Sequence, residues 1–200
     1  MLDLLLSILC SSFIFVVFKL YAVHKVQTLY AIIINYFTAC LVGFFMYAGD
    51  ISIGEIPSRS WFPGTVALGI LFIVIFNLMA RTSQIMGISV ASVATKMSLV
   101  VPVVLGVILY KEALGWIKIL GIALALGAVF LASMKGKTPS TLTGGSLWLP
   151  ILVFLGSGII DSSIKYLQEY HVDETEFSLL SSTIFATAAT SGMIFVLFQQ

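Results

Sequence analysis

Apolar residues run along this chain in blocks too long for the core of a soluble domain. The clearest stretch is Gly87 to Ser133, where GISVASVATKMSLVVPVVLGVILY is followed by KEALGW and then IKILGIALALGAVFLAS. A hydrocarbon layer about 30 Å thick is crossed by about 20 residues of helix rising 1.5 Å each. Both runs reach that length, and in lipid a helix is what satisfies their backbone polar groups internally. The turn between them, at Lys111 and Glu112, leaves room only for a tight reversal. The same pattern predicts seven spans: Leu2–Leu20, Thr28–Tyr47, Trp61–Ala80, Ile88–Tyr110, a fifth ending at Met134, Leu147–Leu167 and Phe177–Phe198. Trp61 is expected as an interfacial aromatic, and Arg81 to Gly87 as a connector. Lys19 is expected to snorkel to the interface. Acidic His171–Glu176 reads as a solvated loop.

Composition supports this assignment. The chain is 60% hydrophobic and 10% charged, against about 25% charge in soluble domains. Mean hydropathy is +1.11. A net charge of +1 gives no reason to expect nucleic acid as a partner; the expected partners are the bilayer and a small solute. Cys10 and Cys40 sit inside apolar runs and read as packing residues, with no metal-ligand spacing. The N-terminal MLDLLLSILCSS carries an acid where a signal peptide needs positive charge, so a retained first span is expected. Small residues at Gly121, Ala125, Ala128 and Ala132, and at Ala186, Thr187, Thr190 and Ser191, predict close helix packing. Neither His24 nor His171 lies in a span, and no HExxH or carboxylate pair appears. That argues against an enzyme, and no cofactor or metal is expected.

A weak repeat runs through the chain. SSFIFVVFKLY (Ser11 to Tyr21) aligns with SGIIDSSIKYL (Ser157 to Leu167), placing Ser11 over Ser157 and Lys19 over Lys165. The pattern restarts after five spans. An odd number of spans per unit points the second unit the opposite way across the membrane, the construction of inverted-repeat carriers.

The run from Ala80 to Ser133 also resembles the EamA-type repeat of the drug/metabolite transporter superfamily. The matching features are the small-polar run ending at Pro102, the acid Glu112 in the tight turn, and glycines 115, 121 and 127 in the next helix. The resemblance implies an all-α polytopic bundle. Residues 1–134 would form one five-helix repeat, 135–145 a linker, and 146–200 the first two helices of a second repeat. It further implies ten helices in the complete family architecture, a central cavity and alternating access, with substrates from amino acids to nucleotide sugars.

Polar residues inside the spans are the candidate chemistry. Lys96 is the sharpest, because an intramembrane charge costs about 2.5–3.5 kcal/mol on insertion scales. In a helix starting near Arg81 it would lie about 22 Å along the axis. Ser92 and Lys96 fall near one face, flanked by Thr95 and Ser98. Such a face suits an anchor for an anionic solute group or a proton-exchanging lysine; a structural ion pair or a snorkelling side chain is the alternative. Asp161, with Ser157 nearby, is the expected partner. Pro102 frees a carbonyl near the helix middle and marks either a gating kink or a packing bend.

These features together predict an exporter of small organic solutes in the cell membrane, working by alternating access with a proton as coupling ion. The alternative is a non-transporting membrane scaffold or fragment that needs further helices or a partner chain. Lysine and arginine beside odd-numbered loops slightly outnumber those beside even ones, which favours an external N-terminus; the family resemblance implies the reverse.

Overall fold

Each expected span is helical, but two boundaries move. The computed structural model describes residues 2–49, 51–110, 115–135 and 148–198. Its helices are α1 (Leu2–Val23), α2 (Thr28–Met46), α3 (Phe62–Met86), α4 (Ile88–Met97), α5 (Val100–Tyr110), α6 (Trp116–Lys135), α7 (Trp148–Tyr170) and α8 (Phe177–Phe198). Two short 3-10 turns, Ile53–Ser58 and Glu174–Glu176, lie in loops. Among the described residues there is no strand. Among the described residues six segments are long and apolar enough to cross a membrane: α1, α2, α3, the α4–α5 segment to Gly106, α7 and α8. The 20-residue α6 covers the expected fifth span. The Lys111–Glu112 turn and all of the expected linker except Lys135 lie outside the described residues.

The first correction concerns Arg81 to Met86, which are helix and not connector. Polar Thr82 and Ser83 look like loop residues, yet both are fully buried. The helix stops at Gly87, whose φ of +103° and ψ of 158° fall in a region open essentially to glycine alone. A Cβ added at Gly87 would meet nothing within 4 Å, so its requirement is purely one of backbone conformation. Gly87→Ala should therefore cost about 1–3 kcal/mol, read as a lower thermal midpoint in detergent. An unchanged midpoint would contradict the assignment.

The second correction divides the fourth span. It is two helices, with the break at Ser98–Leu99. Pro102 has no N–H to donate to the Ser98 carbonyl, and its ring crowds that same carbonyl. The Ser98 oxygen instead accepts from Val101 N at 2.8 Å. The helix tightens and restarts.

The chain divides into two compact units, Met1–Thr28 with Asn77–Ile159, and Leu29–Phe76 with Ile160–Gln200. In the first unit, α1 and the second half of α3 are joined by side chains bonding to backbone. Ser83 Oγ donates to the Phe15 carbonyl at 3.0 Å, and Gln84 Nε2 to the Phe18 carbonyl at 3.1 Å. Lys19 Nζ, expected to snorkel to the interface, donates to the Gln84 carbonyl at 2.7 Å. Helix α4 packs on α1 and α6, burying Val90, Ala91 and Ala94. A Cβ on Gly121 or Gly127 of α6 would meet nothing within 4 Å among the described residues.

The second unit packs α2, the first half of α3 and α8 through small residues, as the α8 pattern predicted. A Cβ at Gly69 would lie 2.7 Å from the Ala188 nitrogen, and Thr187 Oγ1 donates to the Thr65 carbonyl at 2.9 Å. Around this contact Tyr36 stacks on Phe185 with ring centroids 5.7 Å apart, and its hydroxyl donates to the Phe72 carbonyl at 3.2 Å. Trp61 departs from expectation. It is 1% exposed, and its Nε1–H donates to Glu176 Oε2 at 3.2 Å, so it is a packed anchor and not an interfacial aromatic. Glu176 also faces Arg59 at 4.0 Å, which removes it from the set of freely solvated loop acids.

Candidate functional site: an intramembrane lysine at a helix break

Lys96 lies eight residues past Ile88, about 12 Å along its helix and not 22 Å, because that helix begins after Gly87. It occupies the last turn of α4, immediately before the break. Four carbonyls at a helix end lack intrahelical donors, and the end carries roughly half a negative charge. A cation there gains about 0.3–1 kcal/mol, up to about 2 when partly buried. This offsets part of the cost of a lysine at depth. The break and the charge thus support each other.

The ammonium is directed at α1. Lys96 Nζ donates to Ser11 Oγ at 2.8 Å, and Ser11 in turn donates to the Ile8 carbonyl at 3.1 Å. An ammonium has three donors, so the Ser11 contact occupies one of them. Lys96 is exposed, on the opposite side of α4 from Val90, Ala91 and Ala94. Ser92 is half-buried on the same side as Lys96. Thr95 Oγ1 donates to the Ala91 carbonyl at 2.9 Å, and buried Ser98 Oγ to the Thr95 carbonyl at 2.6 Å. Both hydroxyls spend their proton on their own helix and keep lone pairs for a donor.

The other expected residues lie on α5 and α7. Pro102 is half-buried in α5. Gly158 of α7 closes on the break: its Cβ would sit 2.5 Å from Val101 Cβ and 3.1 Å from the Ser98 oxygen. Beside it, Ser157 is 6% exposed, and its Oγ has no hydrogen-bond partner among the described residues. Asp161 is half-buried in the part of α7 that belongs to the second unit. Lys96 and Ser11 were both singled out in the sequence, but the bond between them was not foreseen. Gln84 was missed. Its amide bonds to the Phe18 carbonyl and to Thr28 Oγ1 at 2.9 Å, which orders the α1 end. Its place in a polar run without a helix breaker before Gly87 was the available signal.

A cavity of about 350 Å³ opens at one end of the second unit, lined by Arg59, Trp61, Glu169, Tyr170, His171 and Asp173 among others.

Membrane-length helices through most of the chain, with a lysine held inside one of them, define a polytopic integral membrane protein. The profile of the EamA-like transporter family matches residues 1–134, and the chain belongs to that family, part of the drug/metabolite transporter superfamily. It is also similar to an uncharacterized protein of Haemophilus influenzae, with 30% identity over 169 residues. That match takes in 82% of this chain and 58% of the relative, so the chain spans a little over half the relative's length. No solved structure matches the chain.

Proposed function

We propose that this chain belongs to a carrier of small organic solutes that exports them across the cell membrane by alternating access. The observation that carries the reading is Lys96 at the α4–α5 break, bonded to the Ser11 hydroxyl and, among the described residues, in no ion pair with a carboxylate. A cation so placed suits a solute with a carboxylate or another anionic group, with Ser92 and Thr95 supplying further polar contacts, while Ser98, expected beside them, is buried on the Ala91–Ala94 face away from Lys96. Asp161 is the proposed proton carrier, and Pro102 the point about which the fourth span bends. Residues 1–134 and 146–200 would belong to inverted repeats that rock against each other.

Counterflow in proteoliposomes tests the proposal. Vesicles preloaded with individual organic acids should accumulate the labelled acid, while neutral analogues of equal size should not. Asp161→Asn should abolish its dependence on a pH gradient. Equal handling of neutral and anionic solutes would remove the role given to Lys96. A non-transporting scaffold that needs further helices or a partner chain is the second reading. It predicts no accumulation of any solute.

A further inference from the structure

Towards one end of the first unit stand three cations with no ion pair among the described residues. Lys19 and Lys25 stand at the close of α1, and Arg81 lies five residues before the end of α3. From Leu4 to Gly49 and from Ile56 to Tyr110 the sequence contains no aspartate or glutamate. The seam between the two helices is fixed where the charges meet it, since Lys19 Nζ bonds the Gln84 carbonyl and Gln84 stands one helical turn beyond Arg81. That bond occupies one of the three ammonium donors of Lys19. Lys25 is exposed and held at φ 56°, in the left-handed region, and Arg81 is exposed.

Exposed apolar residues accompany these charges near the ends of both helices. Leu20, Val23 and Val26 are 43%, 66% and 46% exposed, and Ile85, one turn beyond Arg81, is 57% exposed. A dissolved anion would satisfy the cations and leave these side chains uncovered. A phospholipid satisfies both, its phosphate on the basic groups and its acyl chain along the apolar ones. Lys19 and Arg81 stand about 6–8 Å inside the ends of their helices, where side chains of this length reach the headgroup layer. We infer that the α1–α3 seam is a binding site for an anionic phospholipid, with Lys19, Lys25 and Arg81 holding the headgroup.

The test compares the protein in nanodiscs of phosphatidylcholine alone and of phosphatidylcholine mixed with phosphatidylglycerol, at low salt. The anionic lipid should raise the thermal midpoint by roughly 2–4 °C. Lys25→Gln with Arg81→Gln should lose that rise. Lys25→Arg with Arg81→Lys should keep it, as should Lys165→Gln, which removes an exposed charge on α7 in the other unit. Native mass spectrometry of protein from mixed-lipid discs should show phosphatidylglycerol retained by the parent and lost from the double glutamine variant. No rise in the parent, or an equal rise in the double glutamine variant, would overturn the site. The same rise produced by glycerol phosphate added to phosphatidylcholine discs would overturn the lipid as its occupant.

Discussion

Lys96→Ala should lower anionic-solute transport by roughly 10–100-fold while leaving the protein as stable as before, or more so. The loss follows from the worth of a hydrogen bond to a charged group, about 1.5–3 kcal/mol. The stability follows from the opposite term. Alanine removes a cation that costs about 2.5–3.5 kcal/mol to hold in lipid, and gives up only the Ser11 contact and the attraction of the α4 C-terminus. A structural lysine would behave differently: its removal would lower stability and transport together. Paired measurements of counterflow and of thermal midpoint in detergent separate the two. Wild-type transport in Lys96→Ala would sink the anchor role. Lys96→Arg should retain part of the activity, because it keeps the charge but replaces a compact ammonium with a broad planar fork.

Gly69→Val should cost about 3 kcal/mol or more and leave little folded protein to purify. At Gly69 the backbone of α3 meets that of α8, and an added Cβ would sit 2.7 Å from the Ala188 nitrogen and 2.8 Å from the Thr187 carbonyl carbon. Main-chain atoms within a helix cannot swing aside as a side-chain end can. Separation of α3 from α8 would also break the Thr187 bond to the Thr65 carbonyl and loosen the contact of Phe72 with Phe185. Gly121→Val should cost far less, because its Cβ meets no atom within 4 Å. Comparable yield and midpoint for the two variants would contradict the packing described.

The spans were legible because twenty apolar residues in a row admit few structures, and lipid admits fewer. What hydropathy could not locate was the end of α3. Arg81, Thr82, Ser83 and Gln84 lower the average as a loop would. Here their polarity is spent on α1, with Ser83 and Gln84 bonding carbonyls more than sixty residues away. The break in the fourth span was legible as a proline; its position four residues earlier follows from the carbonyl that proline displaces. Trp61 misled because a tryptophan at a span edge fits an interface equally well, and its partner Glu176 is 115 residues distant. Lys96 was legible as an expensive charge. Its bond to Ser11 was not, since nothing in an apolar helix marks which hydroxyl on a neighbouring helix lies within reach.

The division of the fourth span bears on how this protein meets membranes of different thickness. An unbroken rod answers a thinner bilayer by tilting along its whole length, dragging its neighbours with it. Two rods of 10 and 11 residues with a joint between them can take up the mismatch by changing the angle at Ser98–Leu99. The joint adjoins Lys96, so acyl-chain length becomes a lever on the charge itself, and the proposed transport should track lipid thickness more steeply than stability does.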